Sequence, residues 1–184
     1  MRKLIYSMSV SLDGFIAAPD GDIAWGVPDQ ELHLFHNRRV RELGVQLCGR
    51  RLYETMLYWD TPEALQGGPE RVEFAEVWRA MPKVVFSRTL QRVAGNYTLA
   101  ERDIAEEVAR LKRQPGGDIA VGGATLAADC ARLNLIDEYQ LFISPIVLGA
   151  GTPYLPQLND RIELELADTR TFGSRVVYLR YRRP

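Results

Sequence analysis

The sequence is poor in cysteine and histidine, and this shortage excludes several kinds of protein. The two cysteines, Cys48 and Cys130, lie far apart and form no C-x-x-C pair, so we predict neither a disulfide framework nor a structural zinc motif. Such sparing use of cysteine favours a reducing, cytoplasmic compartment. The two histidines, His33 and His36, are spaced as neighbours on a helix, but no third ligand is spaced nearby, so we predict no metal site.

Long apolar runs and an excess of basic residues are also missing. No run of about 18 apolar residues occurs, so no transmembrane helix is predicted. Serines at positions 7, 9 and 11 interrupt the apolar N-terminal run before it has the length of a signal peptide. The formal net charge of −1 argues against nucleic-acid binding, although the arginine pairs at 38–39 and 182–183 leave that role open as a weaker alternative. No G-x-S-x-G segment occurs, which gives hydrolase chemistry little support.

What the sequence does contain is the pattern of one α/β domain. Its 184 residues suit about one domain at roughly 150 residues each, so we expect a single domain over residues 1–184. Strand patterns occur at 4–10, 45–48, 83–87 and 118–121, with helical patterns between them, and again at 138–148, 162–168 and 176–181. We therefore predict a largely parallel central sheet with helices on both faces and an antiparallel C-terminal hairpin around Gly173-Ser174.

Three predicted strands end in residues that suit an anion. Gly122-Gly123 lies between a buried strand and a helix, where glycine lets a ligand approach the backbone and the free N–H groups of a helix start can bind phosphate. Gly49-Arg50-Arg51 and Ser87-Arg88 follow two other strands, and guanidinium groups bind phosphate in bidentate fashion. Each segment taken alone also fits an ordinary turn or a solvated strand end. Because ligands of such sheets bind beyond the carboxyl ends of the strands, the three together predict a phosphate-bearing ligand there.

In their order along the chain, these segments resemble the dihydrofolate reductase-like superfamily, and within it the C-terminal reductase domain of bifunctional riboflavin-biosynthesis enzymes. The residues that carry the resemblance are Ser11-Leu12-Asp13-Gly14-Phe15-Ile16-Ala17, Gly49-Arg50-Arg51-Leu52-Tyr53-Glu54, Phe86-Ser87-Arg88, Gly122-Gly123-Ala124-Thr125-Leu126 and the stretch from Asp137 through Gly151. The resemblance implies a three-layer sandwich with a central mixed, mostly parallel sheet, and NADPH as the cofactor. It also implies the cofactor-binding residues, which are Gly49, Arg50, Arg51, Gly122, Gly123, Ala124, Thr125 and Leu126 at the pyrophosphate, and Ser87 and Arg88 at the adenosine 2′-phosphate.

The activity that the resemblance implies is hydride transfer from NADPH to a C=N or C=O carbon of a small substrate, with a pteridine- or pyrimidine-like ring among the candidates. Asp13 is expected beside the nicotinamide because its motif closes the first strand, and Asp29 or Glu31 is expected to donate the proton. A carboxylic acid that donates a proton at neutral pH needs a pKa raised by burial. Two alternatives stay open: the 5-amino-6-(5-phosphoribosylamino)uracil reductase of riboflavin biosynthesis, and a non-catalytic NADPH-binding module.

Two positions depart from the families that the chain resembles. Gln30 stands where dihydrofolate reductases have the carboxylate that pairs with the pterin, although Asp29 and Glu31 flank it. Ser7 stands where the riboflavin enzymes have a lysine. We therefore expect inefficient turnover of both parent substrates.

A homodimer is the predicted assembly. The strands around 139–146 and 176–181 carry more apolar residues on both faces than an edge hairpin should expose to water, and such surface usually finds cover. The riboflavin reductase domains that the chain resembles also pair.

Overall fold

A sheet of eight strands forms the centre of the computed structural model, which describes residues 1–155, 157–158 and 160–184. In chain order the strands are β1 (Leu4–Ser11), β2 (Phe15–Ala17), β3 (Leu43–Gly49), β4 (Lys83–Phe86), β5 (Tyr97–Leu99), β6 (Asp118–Gly122), β7 (Glu138–Ser144), β8 (Thr152–Pro153), β9 (Glu165–Thr171) and β10 (Val177–Arg182). The central sheet has the order β5-β4-β3-β6-β1-β7-β10-β9, and β2 pairs with β8 in a small separate sheet. Neighbouring strands from β5 to β7 run parallel, and β10 pairs antiparallel with β7 and β9, which confirms the predicted mixed sheet and hairpin.

Five α-helices lie on the two faces of the sheet in the part of the chain that the structure describes. They are α1 (Gln30–Arg41), α2 (Arg50–Met56), α3 (Pro69–Ala80), α4 (Ile104–Lys112) and α5 (Ala124–Arg132). The Asp29 carboxylate accepts a hydrogen bond from the Leu32 amide at 2.9 Å, and Asp103 does the same for the Glu106 amide at 2.8 Å, so aspartate side chains fix where α1 and α4 begin. The predicted loop at 59–69 holds short 3-10 turns before α3 begins at Pro69.

The two faces of the sheet differ in composition. One face, called the α5 face, is covered by α4 and α5 and forms the main core, with Leu4, Tyr6, Leu47 and Val121 almost fully buried. The opposite face, called the α1 face, lies under α1, α2 and α3. Alternate residues of each strand point to opposite faces, so β1 presents Leu4, Tyr6 and Val10 to the α5 face and Ile5, Ser7 and Ser9 to the α1 face.

Some predicted strand limits differ from those observed. The strand predicted at 162–168 runs instead from Glu165 to Thr171, because pairing with β10 sets its register and its seven side chains are all exposed, leaving no hydrophobic period to detect. The strand predicted at 138–148 ends at Ser144, immediately before Pro145. The short strands β2, β5 and β8 were not predicted, since segments of two or three residues carry no usable periodicity. No helix of the described chain is both long and apolar enough to pass through a membrane.

Candidate active site

A cavity of about 340 Å³ lies between α1 and the sheet. Small and polar side chains of the central strands form its floor, namely Ser7, Ser9, Gln46, Ala120, Gly122 and Gln140. Its roof comes from α1, through His36, Arg39 and Val40, and aromatic side chains close its sides, namely Trp25, Trp78 and Phe142. Because serine, alanine and glycine side chains fill little of the layer between the sheet and α1, a space of ligand size remains there.

Three neutral polar groups on the cavity wall have no protein hydrogen-bond partner among the described residues: the hydroxyls of Ser7 and Ser9 and the imidazole of His36. The His36 ring packs against Phe142 with 4.3 Å between ring centroids. Burial lowers the pKa of His36 from 6.5 to about 4, and the charges of His33 and Arg39 add to this effect. His36 is therefore neutral at pH 7 and offers the cavity one N–H donor and one nitrogen acceptor.

The charged groups on the wall are mostly bound to the protein itself. The Arg39 Nε donates to the Gln140 Oε1 at 3.1 Å, and its Nη2 lies 3.7 Å from the Glu138 carboxylate. The Gln140 amide nitrogen donates to the same Glu138 at 2.6 Å. At the amino ends of the strands, Asp118 accepts a hydrogen bond from the backbone amide of Lys3 at 2.8 Å.

The carboxyl ends of β3 and β6 bring two of the predicted cofactor-binding segments together. Gly123 has φ +90°, and a Cβ added there would lie 3.7 Å from the Gly49 backbone nitrogen. Helix α5 begins at the next residue, and no side chain caps its first amides. Ala124 and Thr125 form its first turn, whereas the Leu126 side chain is buried in the main core, which leaves only its backbone facing this edge. The result is a glycine backbone without a side chain beside an uncapped helix N-terminus.

The third predicted segment joins the same edge through a side-chain contact. Arg50 donates from Nη1 to the Thr89 hydroxyl at 3.0 Å, so the start of α2 touches the residues after β4. The Ser87 hydroxyl accepts from the Thr89 and Leu90 amides and so shapes this turn. Arg51 and Arg88 are exposed and have no ion-pair partner among the described residues. Arg50 is also paired with the Glu54 carboxylate at 2.7 Å, so among the described residues the carboxyl ends of β3 and β4 carry one ion-paired and two unpaired guanidinium groups.

The three predicted catalytic carboxylates lie outside the cavity lining and are hydrogen-bonded elsewhere. Asp13 accepts from the Ser11 hydroxyl at 2.6 Å and from the amides of Leu148 and Gly149, which lowers its pKa. Glu31 accepts from the Gly173 amide and from Arg170, which lowers its pKa as well. Asp29 caps α1. Their predicted roles in the chemistry remain predictions, and the observed contacts show these groups tying together the segments that frame the cavity.

Sequence reasoning missed the wall of the cavity itself. His36 was considered only as a metal ligand, and no group of three or more His, Cys, Asp or Glu that could hold a metal occurs among the described residues. The available signal was that His36, Arg39 and Val40 follow helical spacing on one side of α1. A second signal was the serine row of β1, whose polar side faces a covered cavity rather than solvent.

The architecture defines an α/β protein of the dihydrofolate reductase-like fold, with a cavity under the first helix and with glycines and arginines at the carboxyl ends of β3, β4 and β6. The chain matches the RibD C-terminal domain over residues 2–178, and it belongs to that family. Since this is a family of reductase domains, the general class of activity of the chain is that of an oxidoreductase.

Other similar proteins agree with that placement. The uncharacterised Bacillus subtilis protein YyaP is 33% identical over 184 residues, covering 98% of this chain and 94% of that protein. A Shewanella sp. PV-4 protein assigned to riboflavin biosynthesis shares the fold with a TM-score of 0.80 at 20% identity, over 100% of this chain and 99% of that one. Dihydrofolate reductase from Enterococcus faecalis, solved with NADP(H), has a TM-score of 0.65 at 15% identity, over 98% of this chain and 96% of its own. At such identities the two solved structures establish the fold alone.

Proposed function

We propose that this protein is an NADPH-dependent reductase that transfers hydride to a C=N or C=O carbon of a small substrate. The observation that carries the proposal is the bare backbone of Gly123, with φ +90°, beside the uncapped start of α5. A side chain at position 123 would project toward the Gly49 amide, and φ +90° disfavours one there in any case. The backbone at this point suits a pyrophosphate, and the cavity opens below it through Gly122.

The exposed arginines suit the remaining phosphate of the same cofactor. We assign Arg88, next to Ser87, to the 2′-phosphate and Arg50 and Arg51 to the pyrophosphate; the exposure of the three side chains and the contact of Arg50 with Thr89 support this assignment. The Enterococcus faecalis reductase with this fold was solved with NADP(H), which supports the choice of cofactor. When bound, NADPH supplies the hydride, while the chain binds and orients it and keeps water away from the cavity.

Within this proposal, side chains of α1 and β1 position the substrate. His36, Ser7 and Ser9 line the space below Gly122 and are free to hydrogen-bond a ligand. Asp13 holds the loop at 148–149 against the end of β1, and Glu31 holds the start of α1 against the C-terminal hairpin. These contacts keep the walls of the cavity in place.

Binding and turnover measured together test the proposal. Calorimetric titration should show NADPH binding, and a panel of imines and carbonyl compounds should yield at least one substrate that consumes NADPH in stoichiometric amounts. Tight binding with no turnover across the panel would favour a non-catalytic NADPH-binding module instead. Absence of NADPH binding would reject both.

The panel should include the two parent substrates. With dihydrofolate and with the ribosylamino-pyrimidine phosphate we expect kcat/KM below about 10⁴ M⁻¹s⁻¹, the low end for ordinary enzymes, because Gln30 and Ser7 replace charged partners. A higher value with the ribosyl phosphate would favour the riboflavin-pathway activity.

We also propose a homodimer built on the C-terminal strands. On the α5 face, Leu141 and Ile143 of β7 and Val177 and Leu179 of β10 are only half-buried, and Leu166 of β9 is 55% exposed. Neighbouring apolar side chains left without full cover typically mark an interface. Light scattering should give about twice the monomer mass of 20.8 kDa, and Leu179→Glu should return the protein to a monomer. A monomeric unmodified protein at micromolar concentration would contradict this assembly.

A further inference from the structure

The cavity under α1 extends along the whole length of a central strand. Its lining includes Asp118, the first residue of β6, Ala120 in the middle of that strand and Gly122, its last residue. At about 3.3 Å per residue, these positions span about 13 Å. The cavity therefore runs from the carboxyl ends of the strands, where the glycine pair lies, to their amino ends.

Both ends of the cavity reach the surface of the protein. At the carboxyl end, the lining residue Ile23 is 52% exposed. At the amino end, the lining residue Glu42, directly after α1, is exposed as well, and Asp118 is half-buried. Between the two ends, Gln46 and Ala120 on the floor are buried. A cavity with exposed lining residues at both ends and buried ones between them is a channel with two mouths.

Charged residues form the rim of the amino-end mouth. The Arg39 Nη2 lies 3.7 Å from the Glu138 carboxylate, which fixes Arg39 to β7. The Asp118 amide donates to the Glu42 carbonyl at 3.2 Å, so the two acidic residues are neighbours on the rim. Asp118 also accepts a hydrogen bond from the Lys3 amide at 2.8 Å, whereas the Glu42 side chain is exposed. A charged molecule that passes this rim therefore experiences the charge at position 42.

Under the proposed function, the cofactor takes the other mouth. Its pyrophosphate is assigned to the carboxyl-end edge at Gly123, and its nicotinamide reaches the cavity past Gly122. A substrate that used the same mouth would have to enter before the cofactor, and the product would have to wait for the cofactor to leave. The amino-end mouth removes both requirements, because it lies at the opposite end of β6.

We infer that the amino-end mouth, bordered by Arg39, Glu42 and Asp118, is the route by which the small substrate enters the cavity and the product leaves it while NADPH stays bound. The assignment of the other mouth to NADPH rests on the proposed function, whereas the second mouth itself rests on the lining residues. Access to the middle of the cavity should therefore persist in the NADPH-loaded protein and should respond to changes on the amino-end rim.

A thiol placed in the middle of the cavity measures access directly. Ala120→Cys puts this thiol on the floor, and the native Cys48 and Cys130 give little background because both are buried and burial raises the pKa of each to about 12. The probe is methyl methanethiosulfonate, an uncharged reagent, and mass spectrometry follows the labelling. We expect saturating NADPH to slow the labelling of Ala120→Cys by no more than about threefold. A greater loss, or no labelling of the free protein, would overturn the inference.

Changes on the rim locate the route in the NADPH-loaded Ala120→Cys protein. Leu43→Trp places a large side chain beside Glu42 in the lining and should slow labelling at least about tenfold. A folded Leu43→Trp protein that is labelled at the unchanged rate would refute the route.

A change of charge tests the same rim without a change of bulk. Glu42→Lys should shift the relative labelling rates of cationic 2-aminoethyl and anionic 2-sulfonatoethyl methanethiosulfonate about threefold or more toward the anion. Glu76→Lys is the matched control, because Glu76 is exposed on α3 and lies outside the cavity lining. An unchanged ratio in Glu42→Lys, or an equal shift in Glu76→Lys, would also refute the route.

Calorimetric titration of each variant with NADPH separates this inference from the proposed function. Absence of NADPH binding would reject the proposed function, while the rate ratio of Glu42→Lys in the free protein would still test the second mouth. Normal NADPH binding together with blocked labelling of Ala120→Cys would reject the route and leave the proposed function standing.

Discussion

The two faces of the central sheet use the same strands in opposite ways. On the α5 face, Leu4, Tyr6, Leu47 and Val121 fill the space under the helices and leave a closed core. On the α1 face, Ile5 is accompanied by serine, glutamine, alanine and glycine at the corresponding positions, and a cavity remains under α1. The difference shows that side-chain size on the sheet, more than the covering helix, decides whether a layer becomes core or site.

Strand β1 shows the contrast most plainly. Its alternation of apolar residues and serines has the period of a strand with one wet face, yet β1 is an interior strand between β6 and β7. The serine side is covered by α1 rather than by solvent. A row of polar side chains on an interior strand therefore indicates a ligand cavity. Each of the following changes tests whether the α5 face serves as packed core and the α1 face as binding site.

The largest expected effect is on the stability of the α5 face. Leu47→Ala should lower the free energy of unfolding by about 2–5 kcal/mol, because it removes a fully buried side chain and leaves a cavity. Ser9→Ala, on the α1 face, should change it by no more than about 0.5 kcal/mol. Urea denaturation of both variants measures the difference. Similar losses in the two variants would mean that both faces serve as packed core.

The next effect concerns the edge where the two faces meet. Gly123→Val should weaken NADPH binding by about a hundredfold or more, because a side chain would project beside the Gly49 amide where the pyrophosphate is proposed. Gly116→Val is the control: it also has positive φ, its Cβ would likewise lie 3.7 Å from its nearest neighbour, Arg2, and it precedes β6 at the opposite edge. Calorimetric titration should show normal NADPH affinity in the control. A folded Gly123→Val protein with normal affinity for NADPH would mean that Gly123 serves only the turn between β6 and α5.

His36 makes the α1 face sensitive to acid. Its pKa of about 4 in the folded protein, against 6.5 ordinarily, means that the unfolded chain takes up the proton first as the pH falls. The contribution of neutral His36 to the free energy of unfolding is complete above about pH 6.5. It is lost as the pH falls from there to about 4, by about 3 kcal/mol in total. Unfolding curves at neutral pH and near pH 4.5 should show a smaller acid-induced loss in His36→Phe than in the unmodified protein. The same loss in both would mean that the ring is not held neutral by the fold.

The smallest predicted effect lies on the surface beyond both faces. Arg88→Ala should remove most of the preference for NADPH over NADH, about 1.5–3 kcal/mol for a charge-assisted contact, or about ten- to a hundredfold in affinity. Arg92→Ala, four residues on and also exposed, serves as the matched surface control. Equal affinity of the unmodified protein for the two cofactors would contradict the assignment of Arg88.

Much of the architecture was predictable because its signals are local. Asp29 and Asp103 mark helix starts by capping, and short apolar runs followed by glycine or serine mark the parallel strands. Strand β9 was misplaced by three residues because its position depends on pairing with β10 rather than on its own sequence.

The candidate site also contains residues that local sequence predicts and residues that it does not. The glycine and arginine segments could be read from the sequence, since phosphate chemistry at strand ends needs those residue types wherever the sheet brings them together. The three carboxylates were chosen by motif position, and only the folded chain shows Asp13 bound to the amides of Leu148 and Gly149 and Glu31 bound to the C-terminal hairpin. Local pattern cannot reveal a partner more than 130 residues away.

By itself, the sequence determined the order of the longer strands and the helices, the absence of a long apolar span and the three anion-suited strand ends, because each depends on residues adjacent in the chain. Only the tertiary structure decided that His36 faces Ser7 and Ser9 across a cavity and that Arg39 is held by Glu138. These contacts join β1, α1 and β7, and their existence depends on how the helix packs over the sheet, where the short floor residues leave a space instead of a core.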